Sequence, residues 1–373
     1  MQKESYVKLA ERMNQFEGRY PIIDAYINVL KVMCTEEEAE FAAAFPARPL
    51  TLGEAAKIYK KDESEIKKLI EAMAWKGMIF TSRTETGEKL YELTPIVPGA
   101  MEYYILRRLD KPDEIKKYLD LYTQLNIESA VYIEKLKAEN PEKVKEVVPS
   151  QPLFRTLTIN EALPEKTTVY QYEDILKMID KHTSFAAMLC TCKEGIGPNT
   201  TGPCQVEGVP RHHCLQFGKT ADNAVEQNLA DAKRITKEEC LDILMACNKA
   251  GLVQNVNNFV DELQFICNCC PCCCGIVKGA KLLGPIQSGI VDTTNFLPMV
   301  DNQICTGCGE CVEHCPVSAL SLKDDVASCN KDACLGCGFC KTICPVESIT
   351  MERVSNKKLE LGERKVGFGF GGA

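Results

Sequence analysis

Eight cysteines near the C-terminal end repeat one spacing, and no other feature restricts the fold of this 373-residue chain so tightly. Cys305, Cys308, Cys311 and Cys315 precede Pro316. Cys334, Cys337, Cys340 and Cys344 precede Pro345, each cysteine 29 positions after its counterpart. The flanking sequence repeats too, CPVSALSL in the first copy and CPVESITM in the second. Three thiols at three-residue intervals can turn inward from a short irregular loop onto one centre. Gly307, Gly309, Gly336 and Gly338 lack a Cβ where the backbone must come close, and they tolerate positive φ. The proline after each run fixes its own φ and restricts the residue before it. Paired C-x2-C units also occur in zinc ribbons, but zinc has no use for a third evenly spaced cysteine. The spacing therefore points to iron–sulfur clusters.

The two runs resemble those of the bacterial ferredoxins that carry two [4Fe-4S] clusters. In that family the fourth cysteine of each run ligates the other cluster. The resemblance implies Cys305, Cys308, Cys311 and Cys344 for one cluster, and Cys315, Cys334, Cys337 and Cys340 for the other. It also implies a ferredoxin-like domain over residues 295–353, followed by a flexible tail over 354–373. Each run is expected to feed a short helix after its proline.

Composition is otherwise ordinary for a globular protein, with 45% hydrophobic and 26% charged residues, and the length suits two or three domains. The 22 cysteines are not ordinary. The first twenty residues carry no charged-then-apolar leader pattern and no run reaches the length of a membrane span, so the expected setting is a reducing cytoplasm. There thiols serve metals or redox chemistry rather than disulfides. A net charge of −8 argues against a nucleic-acid footprint over the whole chain.

Residues 1–110 read as helices followed by a hairpin. Capping boxes at Thr35–Glu38 and Thr51–Glu54 open two helices, the second running from Leu52 to about Tyr59. Tyr20–Met33 reads as helical. A weaker signal at Asp62 and Glu65 opens another helix, with Ile66, Leu69, Ile70 and Met73 at helical spacing and Gly77 beyond its end. Two short strands flank Thr86–Gly87. This order looks like a winged helix. The helix that would enter DNA balances Asp62, Glu63, Glu65 and Glu71 against Lys67, Lys68 and Lys76, whereas phosphate contacts need a basic face. A docking role suits it better. Residues 111–168 read as a helical segment with a stripe of Ile115, Tyr118, Leu119, Tyr122 and Leu125. Pro141–Pro152 then reads as an extended linker.

Residues 169–294 form the cysteine-rich part. Cys190, Cys192, Cys204 and Cys214 stud a glycine- and proline-rich stretch that is poor core material, and a metal is the natural way to order it. They are the expected ligands of a third [4Fe-4S] cluster. Cys267, Cys269, Cys270, Cys272, Cys273 and Cys274 are possible further ligands, and all six cannot serve one cubane because adjacent side chains in extended backbone point apart. Their arrangement, CNCC-x-CCC, resembles a signature of cytoplasmic ferredoxin-like proteins of anaerobes that pair a winged-helix-like head with a two-cluster ferredoxin. Cys240 and Cys247 fall on a capped helix beginning at Thr236 and read as core, as do Cys34 and Cys329. His212 and His213 beside Cys214 read as hydrogen-bond donors to a cluster or as surface residues. Arg211 could offset cluster charge or hold an anionic cofactor.

The expected fold class is thus α+β and multidomain: a winged-helix-like head, a cysteine-rich middle domain and a C-terminal ferredoxin-like domain. The expected function is single-electron transfer between a low-potential donor and a partner flavoprotein or iron–sulfur oxidoreductase, as in anaerobic metabolism. No Rossmann glycine pattern or P-loop is present, so flavin, NAD and ATP sites are not expected in this chain. The alternatives are a redox sensor acting on DNA through the winged helix and an enzyme with an open-site cluster within residues 190–274.

Overall fold

Apolar residues at helical spacing between well-made caps give the first lobe its helices. The computed structural model describes residues 4–16, 19–148, 152–163, 169–258, 262–285 and 289–357. In it α1 (Glu4–Met13), α2 (Asp24–Met33), α3 (Glu36–Ala43), α4 (Leu52–Tyr59) and α5 (Glu63–Trp75) lead into an antiparallel hairpin, β1 (Ile79–Arg83) and β2 (Lys89–Leu93). Both capping boxes are complete: Thr35 and Thr51 each accept an N–H, and Glu38 and Glu54 return the bond. Asp62 occupies the N-cap of α5 without a side-chain cap bond. Two more helices follow, α6 (Met101–Leu106) and α7 (Pro112–Glu139). Ile115, Tyr118, Leu119 and Leu125 of α7 join the core built by Tyr26, Leu30 and Met33. The chain after α7 is not extended. Pro141–Lys143 form a tight helical turn and α8 spans Val144–Val147, because a proline that opens a helix gives up only an N–H with no helical partner. The rest of the expected linker, residues 149–151, lies outside the described residues.

The middle of the chain builds one seven-stranded sheet. Its elements in order are β3 (Phe154–Thr156), α9 (Ile175–Ile179), β4 (Phe185–Leu189), α10 (Gly197–Thr200), β5 (His212–Phe217), α11 (Gly218–Glu226), β6 (Lys233–Ile235), α12 (Lys237–Lys249), β7 (Val253–Asn257), β8 (Phe265–Cys269), α13 (Gly275–Leu283) and β9 (Val291–Asp292). The strand order is β6-β4-β5-β8-β7-β3-β9, antiparallel except where β3 meets β9. Segment 111–168 therefore supplies α7 to the first lobe and β3 to this sheet.

Strand alternation gives the sheet two unlike faces. Ala187, Leu215, Phe217, Val256 and Ile266 pack with Ile175 and Ile179 of α9 and with Cys240 and Leu244 of α12. The Thr236–Glu239 box that starts α12 is complete, and Cys240 and Cys247 are fully buried. Met188, Cys214, Gln216, Phe265, Cys267 and Cys269 occupy the opposite face. There Met188 and Cys214 meet Phe80, Tyr103 and Leu106 of the first lobe. The hairpin is held against α11. Asn223 Oδ1 accepts from Thr81 N at 2.8 Å and from Thr81 Oγ1 at 3.0 Å, and Arg83 pairs with Glu226 at 2.9 Å.

The C-terminal unit pairs β10 (Phe296–Val300) with β13 (Ile349–Arg353) and β11 (Leu320–Lys323) with β12 (Val326–Cys329), both antiparallel. Its short helices differ from expectation. They span Glu310–Glu313 and Phe339–Thr342, before each proline rather than after it. After the prolines, Ser318 and Glu347 both take φ of +54°, which ends any helical path. Arg353 fastens this unit to the middle one: it pairs with Glu173 at 2.6 Å and lies over the rings of Tyr170 and Phe296. Of the expected tail, residues 358–373 lie outside the described residues.

Candidate metal centres

The two C-terminal runs bend around two separate hollows. Cys305, Cys308, Cys311 and Cys344 line one, with Gly307, Gly309 and Ser348. Cys315, Cys334, Cys337 and Cys340 line the other, with Gly336 and Gly338. Each hollow thus takes three thiols from one run and the fourth from the other. Backbone N–H groups already serve the sulfurs: Ala319 N donates to Cys315 Sγ at 3.2 Å and Gly336 N to Cys334 Sγ at 3.4 Å. The N–H groups of Ala327 and Gly307 hold Cys305 below the usual thiol range, while burial pushes Cys337 up to about 12. Four thiols, backbone donors and close-approach glycines around each hollow fit a [4Fe-4S] cluster.

The two hollows differ in their surroundings. The loop of the second is clamped to the middle unit, with Ile159 N donating to Cys337 O at 2.9 Å and Thr158 Oγ1 to Gly336 O at 2.8 Å. Cys308, at the first, is exposed.

The ten middle thiols fall into two groups. In one, the sulfurs of Cys204, Cys270, Cys272 and Cys273 all lie within 4.8 Å of one another. Cys204 to Cys272 and Cys272 to Cys273 are each 3.6 Å. Burial alone would raise Cys272. The N–H of Gln205 and hydrogen bonds from the neighbouring thiols outweigh it and hold Cys272 below the ordinary value. Burial takes Cys270 up to about 12.

The other group is a series of six. Each thiol lies close enough to act electrostatically on the next, in the order Cys190, Cys192, Cys274, Cys269, Cys267 and Cys214. All six line a chamber of about 420 Å³ between the sheet and the first lobe, whose far wall includes Tyr20, Val97, Met101, Tyr103 and Tyr122. Thiol neighbours and then burial drive Cys190, Cys267 and Cys269 well above the ordinary thiol range. A cationic centre would offset that cost and favour their thiolates. Asn255 leans on Cys269 and favours its thiolate, yet Asn255 Nδ2 is buried without a partner at full hydrogen-bond geometry. A donor left over among thiols suits a sulfur-rich centre.

Of the four residues expected to share a third cluster, Cys190, Cys192 and Cys214 meet at this chamber, whereas Cys204 joins the compact group. The cause is local. Cys267 and Cys269 sit two apart on β8 and share a face, while the turn at Pro271 carries Cys272 and Cys273 away from the chamber; Cys270 still borders it, but its sulfur lies with theirs. Strand periodicity within CNCC could have found this split. His213 is buried and bonds Pro210 O and the Cys190 thiol, while His212 pairs with Asp231 at 2.8 Å. Arg211 is ion-paired to Glu194 at 3.0 Å. Cys329, expected in the core, is only half-buried and hydrogen-bonds Cys334 beside the second hollow.

Among known proteins, the 4Fe-4S dicluster domain family matches residues 304–348. Those residues form a ferredoxin-type 4Fe-4S dicluster domain, and the match classifies this domain rather than the whole chain. A probable ferredoxin of Methanosarcina thermophila is 58% identical over 26 residues, 7% of this chain and 45% of that relative. No solved structure matches the chain. No helix among the described residues is long and apolar enough to cross a membrane.

Proposed function

We propose that this chain is a multi-cluster iron–sulfur electron carrier, passing single electrons between a low-potential donor and a partner flavoprotein or iron–sulfur oxidoreductase. The observation that carries the reading is the pair of crossed thiol sets, each around its own hollow in a dicluster domain. Cys305, Cys308, Cys311 and Cys344 would hold the outer cluster, and Cys315, Cys334, Cys337 and Cys340 the inner one. A third iron–sulfur centre would take at least four of Cys190, Cys192, Cys214, Cys267, Cys269 and Cys274. The order of transfer follows from the surroundings. The exposed Cys308 marks the outer cluster as the entry for an external protein. The inner cluster faces the middle unit, and its Cys315, Cys334 and Cys337 border the same apolar cluster as Cys192 and Cys267. When bound, such centres supply reversible one-electron chemistry, and the surrounding N–H donors and burial set their potentials.

The head resembles a winged helix in its order of helices and hairpin. The lysines of α5 and its C-cap support docking over DNA, since Lys67 pairs with Glu71 and Lys76 with Glu38. A second reading has one observation in its favour: the apolar chamber beside six thiols would suit an enzyme that reduces a small molecule there.

Anaerobic full-length protein should hold about eight irons in the C-terminal domain and about four more in the middle one. Reduction should give separate EPR signals, and Cys305→Ser with Cys344→Ser should remove only the outer one. Capture of an oxidoreductase from its native cells supports the carrier. Specific DNA retention without electron transfer would replace it with the regulator, and turnover of a small molecule would favour the enzyme.

A further inference from the structure

We propose that Cys204, Cys270, Cys272 and Cys273 hold a single tetrahedral zinc ion, a structural site distinct from the iron–sulfur centres. Size carries the argument. A metal ion bound by four thiolates at about 2.3 Å spaces its sulfurs by about 3.8 Å along the tetrahedral edge. Two of the observed separations are 3.6 Å and none exceeds 4.8 Å. A cubane places four irons between its thiolates and spreads them wider. These sulfurs already stand where one ion needs them.

The surroundings close the site. Cys270 and Cys273 are buried with Cys247 and Leu252, and Val206, Val209 and Ile243 pack around them. On another side α10 comes so near that a Cβ on Gly197 would lie 3.0 Å from Cys273 Sγ. Four protein thiolates fill a tetrahedron and leave no position for water or substrate, which is the pattern of a structural rather than a catalytic zinc. The N–H of Gln205 on Cys272 offsets thiolate charge, as outer-shell donors commonly do.

The site also has a task. Residues 201–211 include Gly202, Pro203, Gly208 and Pro210 and form no regular element. Cys204 is the residue by which this loop would be tied to the turn after β8, holding it beside the six-thiol chamber. Zinc is the metal because a thiolate tetrahedron prefers it over ferrous ion in the usual affinity order, and because it undergoes no redox change.

The test is metal analysis of the anaerobically purified full chain. About one zinc per chain is expected, beside the iron. Cys204→Ser with Cys272→Ser should lower zinc at least tenfold and leave iron unchanged, while Cys190→Ser with Cys267→Ser should lower iron and leave zinc. A readout on the unmutated chain guards against misfolded variants: cobalt exchanged into the protein should show the visible bands of a tetrahedral thiolate site. Absence of zinc and of cobalt bands, one iron at this site instead, or loss of about four irons in the first variant would overturn the proposal. Failure of the electron-carrier reading is distinguishable, because iron would then be missing while zinc stayed.

Discussion

Gly307 and Gly309 stand two residues apart in the loop that carries Cys305, Cys308 and Cys311, and both take left-handed φ, +68° and +82°. Alanine at either imposes the same backbone penalty, about 1–2 kcal/mol. Space is what separates them. A Cβ on Gly309 meets nothing within 4 Å, whereas one on Gly307 would lie 2.4 Å from the carbonyl oxygen of Asp325. That oxygen belongs to the tight turn between β11 and β12, where Asp324 and Asp325 have φ of +50° and +59°. It cannot swing aside as a side chain would. Forcing an extra carbon into such contact costs about 1–3 kcal/mol more. Gly307→Ala should therefore destabilise the dicluster domain by about 2–5 kcal/mol and Gly309→Ala by about 1–2. The gap amounts to about 5- to 150-fold in the unfolding constant, at about 1.4 kcal/mol per decade. Anaerobic denaturant titration of both variants, followed through the visible absorbance of the clusters, measures it. Equal midpoints would refute the close-approach argument.

Two further outcomes follow from buried polar groups. Asn223→Ala removes the oxygen that accepts from Thr81 N, Thr81 Oγ1 and Gln227 Nε2; losing it should cost about 1–3 kcal/mol and speed hydrogen exchange along β1, and unchanged exchange would mean the hairpin is held otherwise. Burial raises the Glu102 carboxyl above its ordinary 4.5, so the folded chain keeps that proton after the unfolded chain has released it. Stability therefore falls as pH rises from 4.5 to the raised value and is level above it. Glu102→Gln should match the wild type at lower pH and gain on it from there upward; parallel pH profiles in denaturant titrations would count against the assignment.

How much of this was legible in the sequence depends on how local each signal is. Thr35, Thr51 and Thr236 with their glutamates mark helix starts because both halves of a capping box lie within one turn. The C-terminal runs are legible for the same reason, as three of the cysteines around each hollow come from seven residues of one loop. The grouping of Cys204 was not. Its neighbours lie 66 to 69 positions away in the turn after β8, and only the tertiary fold brings the 201–211 loop to that turn. The short helices fall before Pro316 and Pro345 rather than after them, since proline is tolerated at a helix start but does not require one. Here Ser318 and Glu347, in left-handed conformations, end the path. Cys329 reads as core because its sequence neighbours carry no motif, yet on β12 it pairs with Leu320, which lines the second hollow.

The seven-stranded sheet also restricts how other proteins can reach this one. An open sheet offers unpaired backbone groups at its rims, where a foreign strand can add itself. Both rims are small here. β6 is three residues long and begins with Lys233 and Arg234, and β9 is two residues long. Neither gives enough backbone for an added strand to register, and the cations on β6 discourage stacking of copies edge to edge. At these two rims, therefore, only side-chain surfaces are offered for recognition, and the sheet is left free to serve as a rigid wall for the thiols on its inner face.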